Sequence, residues 1–471
     1  MILCVAPIAV QALHAQQKDV SPPAKGKPAP AAAPAPAEKA KPAENATPAA
    51  AAESKAPAAG NNAAAAPKTK AATEAPNVFQ INNPKITEAE IKEFKTNEFK
   101  FKIALQRGDL DRELIQQGIR TRVYSLTLLK GASPKEKEDG AKIVESLRRE
   151  IYGAGLTLPE AGKRSFREFV LQEVTNRCAE LLDNHFYPRL QAVVLLSSLN
   201  LIEPEPGAAA TAAVGYTPVL DHLQKVLDEP GQLEPIKVVA VNGMTRINLT
   251  GSTPPSPNQR IRMAHSLIRE LNNPQAHEWY QWRLVECLGS IDQVTDLNGQ
   301  PFIVNTIQKT LNDRSRPWTV RSAAAKALGR AQLTPDMKVN VFVFEIVNLA
   351  KEAAEAVNAE NAPKSPYWSH CFWDIYCAFK PEDSAEVARG VGLTKKIERQ
   401  GMKVFDKTVT EGYKQILPLM NHAISSDIVN NFPDELMTPV RDWLQTNTPP
   451  NYKKPEAAPK QAADETRRNP G

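Results

Sequence analysis

Four leucines, Leu182, Leu227, Leu271 and Leu311, close segments of similar ending: "ELLDNHFYP", "KVLDEPGQLEP", "RELNNPQAHEW" and "KTLNDRSRPW". They stand 45, 44 and 40 residues apart. A period of this length constrains the fold more than any composition does, because one unit cannot bury its apolar face alone and must stack on its neighbours. Seventeen residues after each leucine comes a second apolar column, Leu199, Met244, Leu288 and Leu328. Thirteen after stand Leu195, Ala240, Leu284 and Ala324, and twenty after stand Ile202, Ile247, Ile291 and Ala331. These offsets place one apolar stripe on a helix. Upstream, Cys178, Leu223, Leu267 and Ile307 lie four before the leucine, and Val174, Val219, Met263 and Ile303 eight before, which is the inward face of a first helix. Directly before the second column every residue is small, Ser198, Gly243, Cys287 and Ala327, so close helix approach is expected there.

Each unit therefore reads as helix, short turn, helix. The second helix of the fourth unit is "VRSAAAKALG", and this segment resembles the HEAT repeat family, in particular its bacterial phycobilisome-lyase-like type. The resemblance covers roughly 163–333, strongest in the last unit. It implies an all-α fold, a HEAT-like solenoid of antiparallel helix pairs with extra helices at both ends and disordered tails. It also implies a polar ladder from unit to unit, an acid near each turn and a base early in each second helix; Asp228 with Lys237 and Asp313 with Arg321 fit, while Ala192 and Gln281 depart. The segments "MKVNVFVFEIVNLAKEAAEAV" and "SPYWSHCFWDIYCAFK" read as a fifth, degenerate pair, so the solenoid is placed at 163–380 with a helical cap at 381–446. Ahead of it, 78–162 is mostly helical, with Ser or Thr caps followed by acids. Thr121 to Leu129, "TRVYSLTLL", alternates enough to be either strand or helix.

The ends of the chain are of another kind. Residues 1–15 carry an apolar run, Ile2 to Val10, with small exits at Ala12 and Ala15, as in a signal peptide that lacks its basic start; export to the periplasm or beyond is the expectation. Residues 16–77 are an Ala/Pro/Lys-rich linker without Phe, Trp, Tyr, Leu or Ile between 16 and 76, which leaves nothing to offset ordering entropy. The tail, 447–471, reads alike. The chain's net charge is +5, and residues 16–76 hold eight Lys against five Asp or Glu, so most of the excess lies in the linker. A nearly neutral folded part gives little electrostatic support to a phosphate-binding groove.

No motif requires catalysis. "HEWYQ", His277 to Gln281, lacks the second His of a zincin, and "GAGLTLPEAGKR" spaces its glycines wrongly for a P-loop and puts Arg164 where Ser or Thr must ligate magnesium. No cofactor or metal is expected. Cys371 and Cys377, six residues apart on one helix, are separated by about 9 Å, too far for a disulfide; with Cys178 and Cys287 they read as buried thiols. "NAT" at Asn45 and "NLT" at Asn248 match the N-glycosylation triplet. The stripe Trp368, Phe372, Tyr376 and Phe379 is either a core face or a peptide-gripping surface. Within the resemblance, second helices face the concave side, and their non-core positions, Arg283, Glu286 and Lys326 with Asn242 and Ser197, form a mixed polar set suited to a protein or peptide more than to a polyphosphate. The expectation is a non-catalytic exported scaffold that binds an unknown protein or peptide partner. Two alternatives stand beside it: an enzyme of bilin-lyase-like or DNA-glycosylase-like type, and a cytosolic nucleic-acid-binding protein using the Lys/Ala/Pro tail.

Overall fold

The structure, a computed structural model, describes residues 82–108, 111–204, 213–359, 366–399, 401–425 and 429–452. The expected signal peptide and linker, and the tail beyond Tyr452, lie outside the described residues. Within the described residues the fold is all-α. An N-terminal group comprises α1 (Glu88–Phe94), α2 (Glu98–Arg107), α3 (Arg112–Tyr124) and α4 (Pro134–Tyr152). Thr87 and Ser133 cap α1 and α4 through reciprocal bonds with Glu90 and Glu136, which satisfy amide groups that a helix start leaves unpaired. The ambiguous segment after Thr121 resolves as the end of α3 followed by a 3-10 turn, Ser125–Leu128. Five helix pairs follow: α5 (Glu160–Ala179) with α6 (Phe186–Ser198), α7 (Leu220–Asp228) with α8 (Glu234–Thr250), α9 (Pro257–Leu271) with α10 (Glu278–Ser290), α11 (Phe302–Asn312) with α12 (Trp318–Arg330), and α13 (Val339–Ala359) with α14 (Pro366–Cys377). The short α15 (Ser384–Arg389) and α16 (Leu393–Lys396) then lead into α17 (Asp406–Ile424) and α18 (Asp434–Thr446).

The second helices form a row: α6 packs on α8, α8 on α10, α10 on α12, α12 on α14 and α14 on α17. Each of the apolar columns read from the repeat is buried except at one position, and in the small column Ser198 is half-buried. Ile202 is 42% exposed, because α6 stops at Ser198 and the chain turns into a short antiparallel ladder, β1 (Asn200–Ile202) with β2 (Val214–Gly215). The side chains of this strand alternate, so Leu201 takes the inward place that a continued helix would have given Ile202. The small column works as expected. A Cβ on Gly243 would come within 2.6 Å of the Ser197 Cβ, and Ala327 lies against Gly289, whose added Cβ would stand 2.8 Å away. At Gly329 the clash would be with backbone, 2.2 Å from the Ala378 oxygen.

The unit-to-unit ladder exists, but with other acids. Lys237 pairs with Glu270 at 2.7 Å and Arg321 with Glu352 at 2.9 Å, so each base reaches the first helix of the following unit. Asp228 instead pairs with Arg269, and Asp313 with Arg316 and Ser315, the latter two inside its own turn. Gln281, which departs from the family pattern, still joins units by accepting from Arg316 at 2.7 Å. Four cysteines, Cys178, Cys287, Cys371 and Cys377, are buried free thiols. Burial pushes the Cys287 thiol up to about 12, which makes it a poor nucleophile. Order persists past the expected start of the tail at 447, since Tyr452 packs edge-on to Phe344, 4.8 Å between centroids. No described helix is long and apolar enough to cross a membrane.

Candidate functional site

The alanines of α12 bring its neighbours so close that every residue from Val320 to Gly329 is buried. Side chains of α10 and α14 meet over it: the Trp282 and His370 rings stand 4.9 Å apart, edge to face. Beneath them Lys326, 4% exposed, directs its ammonium to Glu382 at 2.8 Å, Asp374 at 3.2 Å and Glu286 at 3.8 Å. Arg330, one turn on, joins Glu382 at 2.8 Å and also Glu386. Burial by itself would lower the Lys326 pKa, but the charges of Asp374, Glu286 and Glu382 outweigh it and hold the ammonium protonated. Burial likewise would raise Glu382, yet Lys326 and Arg330 bring it down to about 2.

The segment after α14 closes this cluster along one edge by crossing the C-terminal ends of three second helices. Gly392 donates its N–H to the Gly329 carbonyl and Leu393 to that of Ala378, both at 2.9 Å. Lys396 donates to the carbonyls of Ala331 at 2.7 Å and Arg330 at 3.2 Å. Arg389 reaches the Leu249 carbonyl of α8 at 3.2 Å. Helix ends leave these oxygens without partners and carry partial negative charge, which is why glycine amides and cations collect there. Lys396 is buried, and burial lowers its pKa to about 8.

The four residues expected to contact a partner therefore divide. Arg283 and Glu286 lie on α10, paired at 2.7 Å, and Arg283 remains a third exposed. Lys326 is not at the surface: the side chains of α10 and α14 and the loop holding Glu382 cover it, because the alanines leave no room for solvent. Trp368 is also buried, 5.7 Å from Trp318, and with Phe372 and Phe379 it takes the core alternative for the α14 stripe. Of the accompanying positions, Asn242 is exposed and Ser197 half-buried.

Sequence reasoning missed Asp374, fully buried inside an aromatic helix, and Glu382 and Glu386 beyond it. The only signal for Asp374 was a lone acid inside "SHCFWDIYC". It also passed over Trp279, which is 62% exposed at the first turn of α10. Trp279 packs edge-on to Trp282, 5.2 Å between centroids, while the Arg283 guanidinium lies 4.0 Å from the Trp282 ring centre. Across the row, Trp373 stacks on Tyr376 at 5.6 Å and Tyr376 meets Tyr413 of α17 at 5.9 Å. Two aromatic groups thus bridge separate helices, Trp279 and Trp282 with His370, and Trp373 and Tyr376 with Tyr413.

The zincin-like residues have structural tasks. The His277 ring accepts from the Trp279 amide, Glu278 bonds to Thr319 and to the Tyr367 hydroxyl, and Gln281 donates to the Ala276 carbonyl. Asn248 of "NLT" is half-buried, its amide donating to Ser290 at 3.1 Å. Among the described residues no group of three His, Cys, Asp or Glu side chains is placed to hold a metal. Compared with known proteins, the chain matches no family model and no curated protein.

Proposed function

We propose that this chain is an exported, non-catalytic scaffold, a HEAT-like solenoid whose row of second helices presents a protein-binding surface. The row of successive contacts from α6 to α17, with bases reaching the next unit, supports the solenoid reading. One observation carries the functional reading: Trp279 stands 62% exposed on this row, beside Trp282 and Arg283. Trp and Arg are enriched among the residues that dominate the binding energy of protein interfaces, and here an exposed indole, a second indole and a guanidinium are grouped on one helix. The acid and base that do converge, Asp374 and Lys326, form an ion pair at 3.2 Å enclosed by three helices, away from any surface a substrate could reach, which favours a structural floor over a reacting centre. The apolar start with small exits supports export.

The test is Trp279→Ala in the full chain, used as bait in the native host. A partner captured by the wild-type protein should be lost from the variant while the far-ultraviolet circular dichroism stays helical. Equal capture by a folded variant would remove Trp279 from the interface. N-terminal sequencing of the natively produced chain separates the alternatives: Met1 intact on a cytosolic protein would favour the nucleic-acid reading.

A further inference from the structure

We infer that the partner is recognised through a basic side chain, a Lys or Arg seated on the Trp279 ring between Glu234 and Glu278; this rests on the scaffold reading above. Three observations meet at this spot. The indole of Trp279 is largely exposed, and no cation of the described chain lies over its ring. Its neighbour Trp282 already carries one, the Arg283 guanidinium at 4.0 Å, so the fold itself displays the contact that Trp279 leaves open. Two carboxylates at the N-terminal end of α10 are without a counter-ion. Glu234 accepts the His277 amide at 3.1 Å, two residues before Trp279, and Glu278 accepts from Thr319 and Tyr367; neither is in an ion pair among the described residues.

The contrast with the surrounding carboxylates is what gives the site its sign. Glu270 is held by Lys237, Glu286 by Arg283 and Asp228 by Arg269, whereas the two acids at the start of α10 accept only from neutral donors. A cation over an indole face is attracted by the ring quadrupole, and two nearby carboxylates add to that attraction while repelling an acidic residue. Leu233, 39% exposed directly before Glu234, supplies apolar surface for the stem of a long basic side chain. Both acids occupy first turns of helices, where a carboxylate is also favoured by the helix dipole. Both are half-buried, and neither charge is neutralised by a cation of the described residues.

The experiment uses the full chain labelled with 5-fluorotryptophan, whose Trp279 fluorine signal is assigned by loss in Trp279→Phe. The probes are three blocked pentapeptides, Gly-Ala-X-Ala-Gly with X as Arg, Lys or Gln. The Arg and Lys peptides should shift the Trp279 signal saturably, at least tenfold more tightly than the Gln peptide, and more weakly as salt rises. Glu234→Gln and Glu278→Gln, which keep the hydrogen bonds, should each weaken the Arg peptide several-fold with the melting temperature unchanged. Equal shifts by all three peptides, or none at millimolar concentration, would overturn the inference. Capture of a native partner that depends on Trp279 but is untouched by the two Gln variants would overturn it too, while leaving the scaffold reading in place.

Discussion

At the scale of single residues, the two anchors Leu288 and Leu328 are fully buried, as the repeat columns require. Leu288→Ala and Leu328→Ala should each cost about 2 to 5 kcal/mol in chemical denaturation, the range for emptying a packed leucine site. Lys326 sets a different problem. A charge taken out of water is costly unless matched, and breaking such a match strands the partners, so Lys326→Met should destabilise by about 3 to 5 kcal/mol. Lys326→Met combined with Asp374→Leu should recover part of that loss, a coupling readable from a double-mutant cycle. A reversal at Lys326 would likewise disrupt the fold, so the residue cannot be used to probe a surface. Acid stability follows from Glu382, whose pKa falls from 4.5 to about 2. A carboxylate depressed in the folded state contributes stability that is present above its unfolded value and lost as protons bind. The melting temperature should therefore decline as pH drops from about 4.5 through 2, and Glu382→Gln should flatten that decline.

At the scale of elements, α12 behaves less like a surface helix than like a rod inside a bundle. Its alanines and Gly329 allow α10 and α14 to close over it, and the price is a backbone contact with no tolerance: an added methyl at position 329 would meet the Ala378 oxygen at 2.2 Å. Gly329→Ala should cost about 1 to 3 kcal/mol, although alanine is the better helix former by about 1 kcal/mol. The sign of the change, measured in denaturant, distinguishes packing from propensity. The segment that follows α14 acts on several helices at once, since Gly392, Leu393 and Lys396 serve carbonyls at the ends of α12 and α14. Because burial lowers Lys396 to about 8, the folded state binds its proton less tightly than the unfolded state does. The sign is opposite to that of Glu382: stability from this group should rise as pH climbs from about 8 towards 10.5, and Lys396→Met should remove that rise.

At the scale of the whole molecule, the same physics separates the chain into a part that packs and parts whose composition offers nothing to pack. Deleting 16–77 should leave the melting temperature essentially unchanged, because that stretch brings no large apolar side chain to a core. A drop of several degrees in calorimetry would show that it docks on the helices. The described residues, by contrast, form one core running from Ile86 to Leu444, with apolar residues of each helix pair contributing to it. Loss of one unit from the middle should therefore be felt by both neighbours, in keeping with nearest-neighbour stacking.

The sequence by itself determined the helix pairs, their apolar columns and the places of close approach, because a period near 40 residues with fixed internal offsets is a local signal repeated four times. Leu182, Leu227, Leu271 and Leu311 could be aligned without knowing what each would touch, since burial on a helix face depends on spacing alone. Ile202 escaped that logic when α6 ended early, because helix termination depends on what the next residues can pair with. Tertiary structure alone decided the fate of the polar positions. Lys326 and Arg283 occupy similar outward-looking places on their helices, yet one is enclosed and the other reaches the surface. The difference arises from Asp374, Glu382 and Glu386, 48 to 60 residues further along the chain than Lys326, which no helical period connects to it. Trp279 was equally hidden, since its exposure depends on which neighbouring side chains stop short of it, and charge and aromatic character acquire their sites only when separate helices bring them together.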